Sequence, residues 1–255
     1  GLGAEKFSVL NSDDPWCVKL KERLTSRRLT YGVRSPADFR AENSRWESAS
    51  TRFDVIRKGR TAEVVSPLVG LHNVYNVLGA VAVMESLGFD PEAAMKNVAA
   101  FRGVPGRLET IDQGQNFRVF VDFAHTPDGL ENVLGSLTPY KRGKLILVFG
   151  CGGDRDRGKR PKMAAIASRF CDAVYVTSDN PRSEDPREIT REICMGFPET
   201  FKKFTVVLDR HKAVRQALMA ARKDDIVLLA GKGHERTQVM KDRVVTFSDR
   251  EEAEK

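Results

Sequence analysis

The run Leu145-Ile146-Leu147-Val148-Phe149 passes through Gly150-Cys151 into Gly152-Gly153-Asp154-Arg155-Asp156-Arg157-Gly158-Lys159-Arg160-Pro161. A second apolar run, Ala173-Val174-Tyr175-Val176, passes into Thr177-Ser178-Asp179-Asn180-Pro181-Arg182. Short apolar runs bounded by polar or glycine-rich segments read as strands. A single helical pattern, Pro161 to Phe170, separates them. Each polar string therefore leaves the C-terminal end of a strand, and in an open α/β sheet that edge is where ligands bind. Arg155, Arg157, Arg160, Arg182, Asp154, Asp156, Asp179 and Asn180 gather there. Arginine offers a planar fork of donors matched to a carboxylate, which lysine does not. The set predicts a site for a small zwitterion bearing more than one carboxylate.

The same alternation extends over the second half of the chain. Strands are expected near Val119 to Val121, Lys144 to Phe149, Ala173 to Val176, Thr205 to Leu208 and Asp225 to Ala230. Helices are expected near Pro127 to Leu137, Pro161 to Phe170, Arg187 to Met195 and His211 to Ala221. Successive βαβ units give an α/β fold with a mostly parallel sheet and helices on both faces. Gln238 to Lys241 and Arg243 to Phe247 form an expected edge hairpin. The first half reads differently, with short β-like runs at Phe7 to Leu10, Leu29 to Val33, Arg52 to Arg57 and Thr61 to Val65, then helices over Leu71 to Leu87 and Pro91 to Phe101. Asp90 caps the second helix, with Pro91 at its first position, where no amide donor is needed. Gly103, Pro105 and Gly106 break the pattern. A boundary near Glu109 to Gln115 divides the chain into 1–109 and 110–255.

At 255 residues, 41% hydrophobic and 30% charged, the chain can bury a real core as one large domain or two ordinary ones. No apolar run approaches the roughly 20 residues that span a bilayer. Gly1 to Lys6 lacks the basic flank and apolar stretch of a secretory leader, so a cytoplasmic protein without a membrane partner is expected. The four cysteines are widely spaced and form no Cys-x-x-Cys pair, which favours reduced thiols over zinc or redox chemistry. The formal charge is +7. Its densest basic cluster, Arg155, Arg157, Lys159, Arg160 and Lys162, is interleaved with Asp154 and Asp156, unlike a stripe that tracks nucleic-acid phosphates. Small polyanionic substrates explain the excess, and no nucleic acid is expected. No Gly-x-x-x-x-Gly-Lys-[Ser/Thr] phosphate loop occurs. The chain is then either a piece of a longer enzyme or without nucleotide chemistry of its own.

Each remaining motif has two readings. In His72-Asn73-Val74-Tyr75-Asn76, Asn73 can cap a helix, or Asn73 and Asn76 on one face can hold a polar ligand. Gly106-Arg107-Leu108-Glu109 is a bend with a surface arginine, or a linker arginine delivered to a phosphate. In Asp122-Phe123-Ala124-His125-Thr126-Pro127-Asp128, Thr126 and Pro127 start a helix. Asp122 and His125 are left as a local hydrogen-bonded pair or as partners of a ribose or adenine. Gly152 to Arg160 is a solvated charge run or a binding loop in which side chains dominate. Lys232-Gly233-His234-Glu235 is a turn after a strand, or it brings Glu235 to the ammonium group of an amino acid.

Together with Leu10-Asn11-Ser12-Asp13-Asp14-Pro15, these strings in this order resemble the ATP-dependent Mur ligases of peptidoglycan synthesis, and within them the members that add meso-diaminopimelate. The resemblance covers nearly the whole chain. Asp179-Asn180-Pro181-Arg182 combined with the Gly152 to Pro161 loop is its most specific part. Phe123 stands where tyrosine is usual and leaves Asp122 and His125 in register.

The resemblance implies three domains: one for the UDP-sugar, a central ATPase with the phosphate loop, and a Rossmann-like C-terminal domain for the incoming amino acid. Residues 1–109 match the C-terminal portion of the central ATP-binding α/β domain, and 110–255 match the C-terminal domain. The implied reaction uses ATP and Mg2+ to activate the D-glutamyl carboxylate of UDP-MurNAc-L-Ala-D-Glu, which the amino group of meso-diaminopimelate then attacks. By resemblance, Arg155, Asp179, Asn180, Arg182, Gly231 and Glu235 hold meso-diaminopimelate, and Asn73, Asn76, Arg107, Asp122 and His125 line the nucleotide. Arg182 faces the distal carboxylate, with roughly 10⁴-fold discrimination against lysine. The phosphate loop, the carbamylated lysine and the magnesium ligands of the family are not among these residues. A monomer that positions substrates without activating them is therefore expected, with Gly103 to Thr110 as a hinge. The alternatives are a non-catalytic scaffold or interaction subunit of the same fold, and a sister ligase adding lysine or glutamate.

Overall fold

Thr51, Phe53 and Val55 alternate with Arg52, Asp54 and Ile56, which is the period of a strand with one face on a core. In the computed structural model, which describes residues 6–47, 50–101 and 103–255, these residues lie in β4. Gly1 to Glu5, which bear on the expected lack of a leader, fall outside the described residues. The first part of the chain forms β1 (Phe7–Asn11), α1 (Pro15–Lys21), β2 (Arg27–Gly32), β3 (Phe39–Glu47), β4 (Ser50–Arg57), β5 (Arg60–Ser66), α2 (Leu71–Ser86) and α3 (Pro91–Asn97). The strands make one sheet in the order β1-β2-β3-β4-β5, parallel from β1 to β3 and antiparallel from β3 to β5. Phe39, Phe53, Val55 and Val64 of the sheet bury against Val74, Leu78 and Val81 of α2 and Met95 of α3.

Asp13 is the polar hub of this unit. Its Oδ2 accepts the Val33 and Arg34 amides at 2.7 and 3.0 Å, its Oδ1 the Ser35 amide at 2.7 Å, and Tyr75 donates its hydroxyl to Oδ2 at 2.8 Å. Burial alone would raise the pKa of Asp13, but these donors outweigh it and hold the carboxyl far below the usual range. Burial, and then the bond to Asp13, push the Tyr75 hydroxyl up to about 12. A motif of β1's exit loop is thus tied to the β2–β3 loop and to α2.

Two elements here lie outside the sequence expectation. β3 carries Arg40, Glu42, Asn43 and Arg45 and shows no clean alternation, and α1 buries none of its residues. The helix over residues 71–86 begins after Gly70, which makes no side-chain cap. Asn73 therefore lies inside the first turn and caps nothing. Its Nδ2 donates to the Val69 carbonyl at 2.8 Å, and Asn76 Nδ2 donates to Asn73 Oδ1 at 3.1 Å. Asp90 does cap α3, accepting the Glu92 and Ala93 amides.

The second part continues with β6 (Glu109–Ile111), β7 (Arg118–Asp122), α4 (Pro127–Leu137), β8 (Leu145–Phe149), α5 (Lys159–Phe170), β9 (Ala173–Val176), α6 (Pro186–Cys194), β10 (Phe204–Val206), α7 (Arg210–Ala220), β11 (Ile226–Ala230), β12 (Thr237–Val239), β13 (Val244–Thr246) and α8 (Asp249–Ala253). Its six-stranded sheet has the order β10-β9-β8-β11-β7-β6. All neighbours are parallel except β6, which runs antiparallel to β7. Val119, Val121, Ile146, Val148, Val227 and Leu229 pack on Ala213, Val214 and Ala217 of α7. The intervening Phe120, Leu147, Phe149 and Leu228 are equally buried, as strands covered on both faces require. Because β7, β8, β9 and β11 all run parallel, the loops leaving them end on one edge of the sheet.

The chain divides into two compact units, Gly1–Gly103 and Val104–Lys255, earlier than the expected division at 109/110. The strand β6 accounts for the difference, since its bonds to β7 carry the segment before it into the second unit. The closing hairpin, β12 with β13, is a sheet of its own and not an edge of the main sheet. Beyond it, α8 is fixed from below. Arg210, buried, donates Nε and Nη2 to Asp249 at 2.8 and 2.6 Å, and Nη2 also to the Ala230 carbonyl at 2.9 Å. Among the described residues no helix is long and apolar enough to cross a membrane.

Candidate functional site

The β8 and β9 exit loops meet backbone to backbone. A Cβ on Gly153 would lie 1.9 Å from the Pro181 carbonyl oxygen, so only glycine permits the contact, and the Gly153 amide donates to the Asn180 carbonyl at 2.9 Å. Asp154 adopts a left-handed φ of 55°. Its amide donates to Glu184 Oε1 at 2.6 Å, and its carboxylate accepts the Ser183 hydroxyl at 2.6 Å. Beneath the loops Arg160, fully buried, donates Nη1 to Glu184 Oε2 at 2.9 Å and to Glu192 Oε2 at 2.7 Å, and Nη2 to Glu184 Oε1 at 2.8 Å and to the Gly152 carbonyl at 3.3 Å. The Arg160 guanidinium beside Glu184 holds its carboxyl down to about 2. Arg157 pairs with Glu192 on the outside. Of the four arginines expected to gather at this edge, Arg157 and Arg160 serve as braces. Arg155 and Arg182 line the cleft.

The cleft they line is a cavity of about 410 Å³, also bounded by Asp179, Asn180, Gly231 and Glu235 and, on the opposite wall, by His125, Lys159 and Lys162. Arg182 has a φ of 51°, an uncommon conformation for a long side chain and one that functional sites collect. Its amide donates to the Val239 carbonyl at 3.0 Å, and its Nη1 donates to the Gly153 carbonyl at 2.8 Å, which fixes the guanidinium plane. Gly152 stands between the two arginines: a Cβ there would lie 2.8 Å from Arg182 Nη1 and 3.9 Å from Arg155 Cγ. Glu235 is not a bare carboxylate, because its Oε2 accepts from Lys232 Nζ at 2.8 Å and from Asn180 Nδ2 at 2.9 Å. Burial raises its pKa, but those two donors outweigh it, and its carboxyl lies below the usual range. Gly231, at φ 111°, donates its amide to the Asp122 carbonyl at 3.0 Å, and a Cβ there would lie 2.9 Å from Asp179 Oδ2.

On the opposite wall Thr126 caps α4 by accepting the Gly129 amide at 3.2 Å, as Thr126-Pro127 foretold. His125 Nδ1 bonds the Phe123 carbonyl at 2.8 Å, and its ring meets that of Phe123 edge-on at 4.6 Å. Lys159 donates to the His125 carbonyl at 2.7 Å. Arg107 lies over the Phe123 ring at 4.9 Å. Asp122 and His125 form no mutual pair in this arrangement. Asp122 turns to the backbone, accepting the Leu108 and Ala124 amides at 2.7 Å each, and so holds Leu108 at its left-handed φ of 44°. Asn73 and Asn76 belong to the first unit. Burial pushes the Cys151 thiol, in the cleft floor, up to about 12, so it is no nucleophile at neutral pH. Cys171 is buried too, and all four cysteines are free.

Lys159, Lys162 and Lys232 were not singled out for the site from the sequence. Lys159 and Lys162 fall in the charge run and project one helical turn apart. Lys232 stood in a quoted motif, but a lysine next to glycine gives no sign that it is buried.

The chain matches the model of the Mur ligase glutamate ligase domain over residues 106–233 and that of the Mur ligase middle domain over residues 1–84. It is 48% identical over 250 residues to the UDP-N-acetylmuramoyl-L-alanyl-D-glutamate–2,6-diaminopimelate ligase of Thermosynechococcus vestitus, covering 96% of this chain and 50% of that protein. It is 41% identical over 250 residues to the protein of the same name from Syntrophomonas wolfei, covering 98% and 51%. A solved structure under that name superposes with a TM-score of 0.72 at 35% identity, covering 97% of this chain and 52% of that one. The chain spans about half the length of the relatives it matches. With the parallel sheet, the convergent exit loops and both domain models in register, the chain belongs to the Mur ligase family.

Proposed function

We propose that these residues form the amino-acid-binding unit, and part of the nucleotide-binding unit, of a cytoplasmic ATP-dependent ligase that joins meso-diaminopimelate to UDP-MurNAc-L-Ala-D-Glu. The observation that carries this reading is the convergence of Arg155 and Arg182 with Asn180 and Glu235 in one cleft at the C-terminal edge of the sheet. Two guanidinium groups suit the two carboxylates of a diamino diacid, and a carboxylate beside them suits an ammonium group. Arg182 is the residue we assign to the distal carboxylate, which lysine lacks. Asp179 and Gly231 shape the floor.

The opposite wall fits a nucleotide. Arg107 over Phe123, with His125 edge-on to the same ring, offers a cationic and aromatic ledge of the kind that stacks a base or meets a phosphate. Within the first unit, Asn73 and Asn76 are assigned to nucleotide binding on their own account, and in the second Asp122 acts by holding the Leu108 turn behind Arg107. ATP supplies the phosphoryl group that makes a carboxylate open to attack. The residues described here bind the incoming amino acid, orient its amino group and exclude water. Magnesium ligands are not assigned among them. Open valences on Arg182 and Glu235 favour this reading over a scaffold, which has no use for them.

The test is a ligation assay on the full-length protein with ATP and UDP-MurNAc-L-Ala-D-Glu, offering meso-diaminopimelate against lysine and glutamate. Tripeptide formed from meso-diaminopimelate, with the other two poor substrates, is the expected result. Preferential use of lysine or glutamate overturns the assignment.

A further inference from the structure

Lys232 has no substrate contact assigned to it, yet it is fully buried. An ammonium group loses its hydration in such a place and must be paired. Its Nζ donates to Glu235 Oε2 at 2.8 Å and to Asn180 Oδ1 at 3.2 Å. Asn180 Nδ2 donates to the same Glu235 Oε2 at 2.9 Å, and the Val239 amide donates to Asn180 Oδ1 at 3.0 Å. The three side chains close a ring. With an ammonium and an amide both aimed at Oδ1, the Asn180 amide can sit only one way, because the flipped form would set its NH2 against two donors. Both inward bonds to Glu235 fall on Oε2, and no described residue engages Oε1.

We propose that Lys232 is a positioning residue of the amino-acid subsite, fixing the Asn180 amide and holding Glu235 so that Oε1 is left for the substrate's ammonium group. The inference rests on reading the cleft as a diamino-acid site. It also has a charge consequence. The charged groups around Glu235 are Lys232, Arg182 and, farther off, Arg210, which also feels Asp179. Burial pushes the Glu235 carboxyl up, and Lys232 provides the first opposing contribution. Without Lys232 only the Asn180 bond and Arg182 oppose the burial, so Glu235 takes a proton at higher pH than in the wild type and accepts an ammonium group less well there.

Steady-state kinetics of full-length Lys232→Met tests this. The KM for meso-diaminopimelate is expected to rise roughly 30-fold, in the range typical of groups that orient a ligating residue, with the KM for ATP changed less than about threefold. As pH falls, the amino-acid KM of the variant should begin to climb at a higher pH than that of the wild type, because losing the Lys232 contact raises the pH at which Glu235 takes a proton. Adding Glu235→Gln to Lys232→Met should cost little beyond Glu235→Gln alone, since the two act as one unit. An amino-acid KM close to wild type, a pH profile parallel to wild type, or additive losses each overturn the inference. Should Lys232→Met not fold, melting of the double variant decides. A double variant at least as stable as Glu235→Gln supports the pairing, because it leaves no buried ammonium unpaired, and a less stable one refutes it. A wild-type enzyme that uses no diamino acid overturns the proposed function, whereas one that does, with Lys232→Met indistinguishable from it, overturns this inference alone.

Discussion

The two units use their polar motifs in opposite ways. In the first, Asp13 is saturated by three amides and the Tyr75 hydroxyl, Asp14 caps α1, and Asn73 bonds the Val69 carbonyl. In the second, the protein takes Nη1 of Arg182 and Oε2 of Glu235, and among the described residues no partner takes the other Arg182 nitrogens or Glu235 Oε1, although both residues line the cleft. A saturated carboxylate builds a fold, and an open one recognises a ligand. Both kinds look alike as strings of letters.

The contrast can be broken at several points. Replacing Arg182 by alanine should lower kcat/KM for meso-diaminopimelate in the full-length enzyme roughly 10³-fold, and most of the preference over lysine should go with it. A variant that still prefers meso-diaminopimelate would remove Arg182 from the recognising class. Asp13→Ala should instead act on stability, costing about 3 kcal/mol for the charged hydrogen bonds it loses, with the amino-acid KM unchanged. The sign of its pH dependence follows from the lowered folded pKa. Its contribution is complete above the ordinary carboxylate range of about 4 and fades as pH falls toward the folded value. Thermal melts of the wild type should therefore fall more steeply with acid below about pH 4 than those of Asp13→Ala. A smaller effect is expected for Gly153→Ala, whose methyl collides with the Pro181 carbonyl and must part the two loops. About 2 kcal/mol of stability should be lost, as for other overpacked sites, and both amino-acid affinity and melting temperature should drop together. Loss of only one of the two would separate the loop contact from the cleft it shapes.

Legibility followed the same division. The parallel sheet was readable because its strands are unbroken apolar runs, and Asp90-Pro91 and Thr126-Pro127 announced their helices. Asp14-Pro15 carried the same signal for α1, but a helix that buries nothing has no apolar stripe to confirm it. β3 was hidden because the alternation of Phe39 and Ala41 with Arg40 and Glu42 breaks at Asn43, whose φ of 52° falls in an irregular register between Glu42 and Arg45. At the site, charge type was visible and direction was not. Arg155, Arg157, Arg160 and Arg182 are equivalent in composition. Arg160 turns inward because Glu184 of the β9 exit loop and Glu192 of α6 reach it from 24 and 32 residues along the chain, and such partners leave no trace in local spacing. Lys232 escaped notice although its partner Glu235 lies only three residues on, because a lysine flanked by glycines gives no sign that it is buried.

The bond from Arg210 to both Asp249 and the Ala230 carbonyl joins the final helix of this chain to the residue just before Gly231. The guanidinium is sealed from water, so the carboxylate that neutralises it is no dispensable tail ornament. Cutting back past Asp249 strands a cation in the interior, and the disturbance arrives first at the floor of the cleft.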